Sequence, residues 1–476
     1  MKKASEWFDR HKKELISDLC DLVRIPSVSR KTKVPLMPYG EDCRKVLDCM
    51  LSKGRRDGFI THDYEGYCGS IVFGGEEHEK KTKTIGIFGH LDVVEAGDGW
   101  SHDPFSPAVK GGIVSGRGAA DDKGSLLSAY YALKYLKSNG YRPQASFFFF
   151  LGLNEEKEME DIDYFLSKYR EPDFSIVTDI FFPVCIGEKG VMNVKLSAEK
   201  QGEELLWFRS GVSENAVPGE AAMKVCLDEK VCSRLLKSGA ELIEADHKAA
   251  PEGKKAIVIK CRGKGAHAAF PEGSENAMIK LAELLIEADA VHESDLKILT
   301  AVRDLFSGCY GEGLGIKHRD QVFGDITAVG TTFSYDGTTM EISVNIRYGS
   351  ETASDIILKK MEQKITSYGF RIDAYTDRAP FYRDPGQDAS GIIKAINETA
   401  CRQLGICREP YVLSGGTYAK KLQRAVGFGP DYPERKKLLP EGYGGGHQPD
   451  EYIDVRDIKK AFLIYVEAFQ EMDRRI

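Results

Sequence analysis

Ala145-Ser146-Phe147-Phe148-Phe149-Phe150-Leu151-Gly152-Leu153 runs directly into Asn154-Glu155-Glu156. An apolar run without polar alternation predicts a strand covered on both faces, as in the middle of an α/β sheet. It is far too short to span a bilayer, which takes about 20 apolar residues. Working outward, short apolar strands are expected at 70–73, 84–88 and 174–177, the first two joined by a charged loop. Helices are expected at 5–25, with Leu15, Leu19 and Leu22 on one stripe, and at 43–51 and 126–136. Strands alternating with helices predict an α/β layered unit.

From about Gly190 the pattern changes. Residues 191–196 and 341–347 alternate apolar with polar, which predicts antiparallel strands wet on one face. Asp336-Gly337 between two strand-like stretches predicts a hairpin turn. Amphipathic helices are expected at 277–288 and 353–366. The α/β pattern returns after Pro385, with a helix at 392–403 and a last one from Asp457. The expected organisation is an α/β domain made of residues 1–187 and 385–476, interrupted by an α+β insertion at 188–384. The chain has 476 residues, more than one core holds, so two or three packed units are expected.

Composition narrows the function. Hydrophobic residues at 42% and charged residues at 29% exclude disorder. The net charge of −7 and the absence of a long basic run argue against nucleic acid. The runs Glu76–Lys81 and Arg435–Lys437 read as solvated loops. Residues 1–20 carry no apolar stretch of the kind a secretory signal needs. The 11 cysteines are scattered, with no C-x-x-C pair. They read as reduced, mostly buried small hydrophobes. A cytoplasmic protein without membrane attachment is expected.

Four acidic or histidine features follow predicted strands. In Gly89-His90-Leu91-Asp92, residues two apart face the same way, so His90 could bind a metal while Asp92 orients it. Alone, a strand-end histidine is more often polar surface. Asp121-Asp122-Lys123-Gly124 precedes a helix, where paired aspartates are most often caps; the functional reading is that Asp121 bridges two metal ions. Glu155-Glu156 places two carboxylates side by side, one free to ligate metal and the other to act as general base. Thr178-Asp179 ends the fourth strand, where an aspartate is often a turn former. Ligands of open α/β sheets bind beyond the carboxyl ends of strands, and four such hits outweigh one. A fifth piece, Gly444-Gly445-Gly446-His447, lies where the α/β pattern has returned.

The ordered set Gly89–Val94, Gly97-Asp98-Gly99-Trp100, Asp103-Pro104-Phe105, Asp121–Gly124, Glu155-Glu156 and Gly187–Gly190 resembles the co-catalytic di-zinc metallopeptidases related to aminoacylase and carboxypeptidase G. Ser414–Lys420 and His447–Ile453 are similar to the dipeptidase V branch, Xaa-His dipeptidases that resemble carnosinase. The likeness covers nearly the whole chain. It implies a mixed-sheet, zinc-exopeptidase-like catalytic domain with an inserted α+β lid, built as two subdomains. It implies two zinc ions, with manganese or cobalt able to replace them. His90, Asp121 and Asp179 would hold one; Asp121, Glu156 and His447 the other. Glu155 would be the general base and Asp92 the support of His90. His267 would be the lid histidine that stabilises the oxyanion. Asn215, Arg347, Gly415, Gly416 and Thr417 would bind substrate.

The implied reaction is hydrolysis of dipeptides; an amidohydrolase acting on N-acyl amino acids is the alternative, and a non-catalytic binding module a further one. The expected partner is a small peptide. A monomer is compatible with the long lid, and a homodimer is the other option. Departures from the pattern occur at Glu95, Ser125, Lys157-Glu158, Phe181-Phe182 and Cys185-Ile186, none at an implied ligand. From pattern alone, His267 reads as a loop histidine and Arg347 as equally a solvated strand end. His11, His62, His78, His102, His247, His292 and His318 show no partner spacing and read as surface or structural.

Overall fold

The computed structural model describes all residues except 75–82, 201, 238–240, 245–252, 433–437 and 441. The two charged runs, the loop between the strands at 70–73 and 84–88, His78 and His247 fall outside the described residues. The chain divides into two compact units. The first comprises Met1–Gly187, Tyr382–Tyr411 and Gly416–Ile476; the second comprises Glu188–Phe381 and Val412–Gly415.

The phenylalanine-rich run forms strand Ser146–Gly152, buried at every position. In the first unit the sheet runs in the order Ile60–Tyr64, Cys68–Phe73, Ser146–Gly152, Thr84–His90, Phe174–Val177, Ala425–Gly427. The first two pairings are antiparallel. The four strands from Ser146–Gly152 onward are mutually parallel. The sheet is therefore mixed, and its parallel strands end along one edge. Helices Lys2–Val23, Lys123–Ser138, Ile392–Leu404 and Val455–Arg475 pack in succession, with Val455–Arg475 touching each of the other three. A small sheet pairs Tyr452–Asp454 with Ile113–Ser115, which joins the end of the chain to the loop before Asp121.

The second unit holds an eight-stranded sheet, antiparallel at every pairing, in the order Glu241–Glu244, Lys255–Arg262, Glu220–Leu227, Leu205–Ser210, Thr327–Tyr335, Thr339–Tyr348, Gly190–Glu199, Arg371–Arg378. The alternating stretches become the neighbouring strands Gly190–Glu199 and Thr339–Tyr348. Asp336-Gly337 lies in the hairpin loop, where Asp336 Oδ1 accepts from the amides of Thr338 and Thr339. Helices Ala277–Glu287, Glu293–Phe306 and Ser354–Ile365 bury residues such as Leu281, Leu299 and Met361 in the same core cluster as Val194 and Ile346 of the sheet. Sequence periodicity missed Glu293–Phe306 and the short helix Glu160–Lys168. Both carry several acidic residues that dilute their apolar stripe.

Candidate metal centre

Three parallel strands deliver the first group. His90 is the last residue of Thr84–His90. Glu155 and Glu156 follow Ser146–Gly152, and Asp179 follows Phe174–Val177. Asp121 precedes helix Lys123–Ser138, and His447 sits in the glycine loop before Tyr452–Asp454. The structure brings all six together. His90 Nε2 lies 3.3 Å from Asp121 Oδ1 and 3.7 Å from Asp179 Oδ2. The other oxygen of Asp121, Oδ2, lies 3.2 Å from His447 Nε2, and that nitrogen is 3.0 Å from Glu156 Oε1. Asp121 thus offers one oxygen to each imidazole. Gly446 lets the glycine loop approach: a Cβ there would stand 2.9 Å from Asp121 Oδ2. His447 holds a φ of 63°, a left-handed backbone that a non-glycine residue adopts only under constraint from its surroundings.

The fit to metal ions can be tested on this geometry. His90 Nε2, Asp121 Oδ1 and Glu155 Oε1 are buried atoms without a hydrogen-bond partner among the described residues. Such groups cost about 1–3 kcal/mol each when left unpaired. Two donor sets, His90-Asp121-Glu156 and His90-Glu155-Asp179, each place their ligand atoms within 4.8 Å of one another. Imidazole and carboxylate donors at this density suit zinc, manganese or cobalt. The residues fit a pair of divalent ions. The second set differs from the division the resemblance implies, because it enrols Glu155 as a donor.

Electrostatics point the same way. Burial, then the Asp121 charge, pushes Glu156 up to about 7 and also raises Asp179. Burial raises Glu155 well above the carboxylate range; His90 opposes the shift, while Asp179 and Glu156 reinforce it. Asp121 runs the other way: burial works against its charge, but its contacts to His447 and His90 hold it well below the usual range. Contacts to Asp121 and Glu156 raise His447 to about 11. Like charges crowded away from water favour a bound cation.

A second layer holds these groups. Asp92 Oδ1 and Oδ2 accept from the backbone amides of Glu155 and Glu156, at 3.2 and 3.1 Å. Its own carbonyl lies 3.0 Å from His90 Nδ1. Asp92 therefore ties the two strand ends together as well as facing His90. Asp122 occupies the N-cap position, yet its side chain makes no cap bond. It accepts instead from the His90 amide at 3.0 Å, so the plain capping reading of the paired aspartates is overturned. Asp161 accepts from the amides of Leu153 and Asn154 and from the Tyr418 hydroxyl. Lys123 is fully buried and donates to the carbonyls of Leu22 and Ile25, each at 2.9 Å. Sequence reasoning missed Asp122, Lys123 and Asp161 as site-builders. The first two stood inside a quoted motif, but Asp161 gave no signal.

In the second unit, Ala216-Val217 pairs with Ala266-His267. The Asn215 carbonyl accepts from the Ala268 amide at 2.8 Å, so Asn215 and His267 lie side by side. His267 Nδ1 accepts from the Ala269 amide at 3.1 Å. An amide can only donate, so the neutral ring carries its proton on Nε2. Thr327 links the Ala268 carbonyl, at 3.5 Å, to its cross-strand partner Arg347. Arg347 is only 7% exposed, which overturns the solvated reading. Its Nε donates to Asn345 and its Nη1 to the Ser414 carbonyl, both at 3.0 Å; Nη2 makes no hydrogen bond among the described residues. Burial, helped by Arg378, brings Arg347 down to about 10. Gly415 clusters with this unit, and Gly416 and Thr417 with the first. Thr417 caps the turn Tyr418–Lys420. Among the remaining histidines, His11 stacks on Trp7 and His102 lies near Ser115 and Asp450.

Comparison with known proteins places the chain in a family and matches its fold. A Staphylococcus aureus protein (strain bovine RF122 / ET3-1) named "Putative dipeptidase" is 29% identical over 478 residues, covering 98% of each chain. Among solved structures, the Saccharomyces cerevisiae di-peptidase Dug1p matches with a TM-score of 0.58 at 14% identity, covering 99% of this chain and 98% of that one. Human carnosine dipeptidase 1 matches with a TM-score of 0.56 at 14% identity, over 99% of both chains. The model of peptidase family M20/M25/M40 matches residues 86–471, and the chain belongs to that family of metallopeptidases.

Proposed function

We propose that the chain is a dipeptidase that loads two zinc ions, or manganese or cobalt, at the sheet edge. The observation that carries this reading is Asp121, with one carboxylate oxygen facing His90 and the other facing His447. His90, Asp121 and Asp179 would hold one ion, and Asp121, Glu156 and His447 would hold the other. The metal pair, when bound, supplies Lewis-acid polarisation of the scissile carbonyl and a water acidic enough to ionise near neutral pH.

The side chains do the rest. Glu155, buried at the end of strand Ser146–Gly152, accepts the proton of the attacking water and returns it to the leaving amine. Asp92 keeps the Glu155 and Glu156 strand end in place through their amides. His267 presents Nε2–H to the developing oxyanion. Arg347 pairs its guanidinium with the terminal carboxylate of the peptide, and Asn215, Gly415, Gly416 and Thr417 line the substrate. Residues 188–384, which share one eight-stranded sheet, act as a lid for a catalytic domain made of 1–187 and 385–476. Retention of every implied ligand, together with Glu155, argues against a non-catalytic module. The eleven cysteines are free thiols, which suits a reducing cytoplasm. No described helix is long and apolar enough to cross a membrane. A monomer is the working oligomeric state, with a homodimer the alternative.

The test is a substrate panel on metal-loaded protein: dipeptides, including β-alanyl-His, against N-acetyl and N-succinyl amino acids. Turnover that requires a free α-amine supports the dipeptidase. Faster turnover of the acyl amino acids would move the assignment to a deacylase on the same metal site.

A further inference from the structure

Arg117 and Glu451 form an ion pair at 2.6 Å, with side chains 1% and 0% exposed. Taking two charges out of water is costly, and a pair of this kind is seldom justified by stability alone. Its contacts show what it holds. Glu451 Oε1 accepts from the amides of Ala120 and Asp121, at 2.8 and 3.0 Å. Glu451 Oε2 accepts from the amide of Gly118 at 3.1 Å, beside the Arg117 guanidinium. Both carboxylate oxygens are therefore spent on the backbone that presents Asp121.

Arg117 reaches the other two loops. Its Nη2 donates to the Ala96 carbonyl at 3.1 Å, and its guanidinium lies 5.1 Å from the centre of the Trp100 ring. Trp100 Nε1 donates to the same carbonyl at 2.8 Å. Arg117 Nη1 also approaches the Gln448 carbonyl, next to His447, at 3.5 Å. The Glu451 carbonyl accepts from the Gly116 amide at 2.9 Å, which closes the pairing of the two segments. One buried pair thus meets the loop after His90, the loop before Asp121 and the loop carrying His447.

We propose that Glu451, clamped by Arg117, is the positioning residue that holds the Asp121 carboxylate between His90 and His447. It sets metal affinity at both positions without touching a metal. The inference rests on the two-metal reading above and deepens it. Loss of an outer partner of this kind weakens metal binding by about 10–100-fold. Glu451→Gln would keep one acceptor oxygen but turn an amide group towards the Gly118 amide and Arg117. A matched control exists in Asp473, which is 4% exposed and accepts from the Gln144 and Ala145 amides at the opposite end of strand Ser146–Gly152.

The experiment titrates metal-free full-length wild type, Glu451→Gln and Asp473→Asn with Co²⁺ against a competing chelator. It records stoichiometry, affinity, the visible Co²⁺ spectrum and the unfolding midpoint of each metal-free protein. The expected result is two ions in wild type, affinity about 10–100-fold weaker with an altered spectrum in Glu451→Gln, and wild-type affinity in Asp473→Asn even where its midpoint drops. Wild-type affinity and spectrum in Glu451→Gln would overturn the proposal, whatever its midpoint. Should Glu451→Gln not fold, Arg117→Lys carries the same test, since it keeps the buried cation but loses the fork; unchanged metal binding there would also overturn the proposal. A wild type that takes up no second ion would instead bring down the two-metal reading, and this inference with it.

Discussion

The strand ends of the first unit and the Asn215–His267 pair of the second are held by different physical means. His90 and Glu155 are buried, and Glu155, Glu156 and Asp179 are raised in pKa by burial and by neighbouring carboxylates. His267 and Asn215 are exposed, and backbone amide bonds orient them. The first region is electrostatically unfavourable by itself and is relieved by cations. The second needs no ion to adopt its geometry. Under the proposed function, metal chemistry falls to the sheet edge and substrate recognition to the insertion.

Four substitutions can break or sharpen that contrast. The largest effect is expected from Glu155→Ala, which should lower kcat by about 10²–10⁴-fold or more while two metals stay bound. Metal analysis alongside kinetics checks it; loss of an ion would make Glu155 a ligand, as the His90-Glu155-Asp179 donor set allows. His267→Ala should lower kcat by about 10²–10³-fold with metal content unchanged. Wild-type kcat would remove its oxyanion role. Arg347→Lys should raise KM about tenfold or more and leave kcat near wild type, because an ammonium cannot fork onto a carboxylate. A fall in kcat with KM unchanged would contradict a ground-state contact.

The smallest effect concerns stability. Burial raises Asp161 to about 6, above its ordinary 3.8. Its protonated form therefore favours the folded state at low pH, and that contribution is lost as pH rises from about 4 to about 6. The loss is on the order of 3 kcal/mol for a fully buried group. Asp161→Asn cannot titrate, so its unfolding free energy should fall less steeply across that window. Chemical denaturation at a series of pH values checks the slope, and an unchanged slope would show that Asp161 does not titrate there.

The strand ends were legible in the sequence because their signals are local. His90, Glu155, Glu156 and Asp179 each follow an apolar run, and the edge of a parallel sheet gathers them. Arg347 was legible as an alternating strand position, but its burial was not, since that depends on Asn345 and on Ser414, 67 residues away. The Arg117–Glu451 pair spans 334 residues, and no periodicity encodes such a contact. The Asp161–Tyr418 bond spans 257, and neither residue marks a strand end. The short return Val412–Gly415 to the second unit was equally invisible, because four residues hold no pattern.

Dipeptide hydrolysis is expected to require two ions held around Asp121. The most direct test removes metal with a chelator, then returns a measured number of ions per chain while dipeptide turnover is followed in the same sample. The expected result is no turnover without metal and full recovery at two equivalents, with Asp121→Asn unable to recover. Dipeptide hydrolysis by rigorously metal-free protein would contradict it.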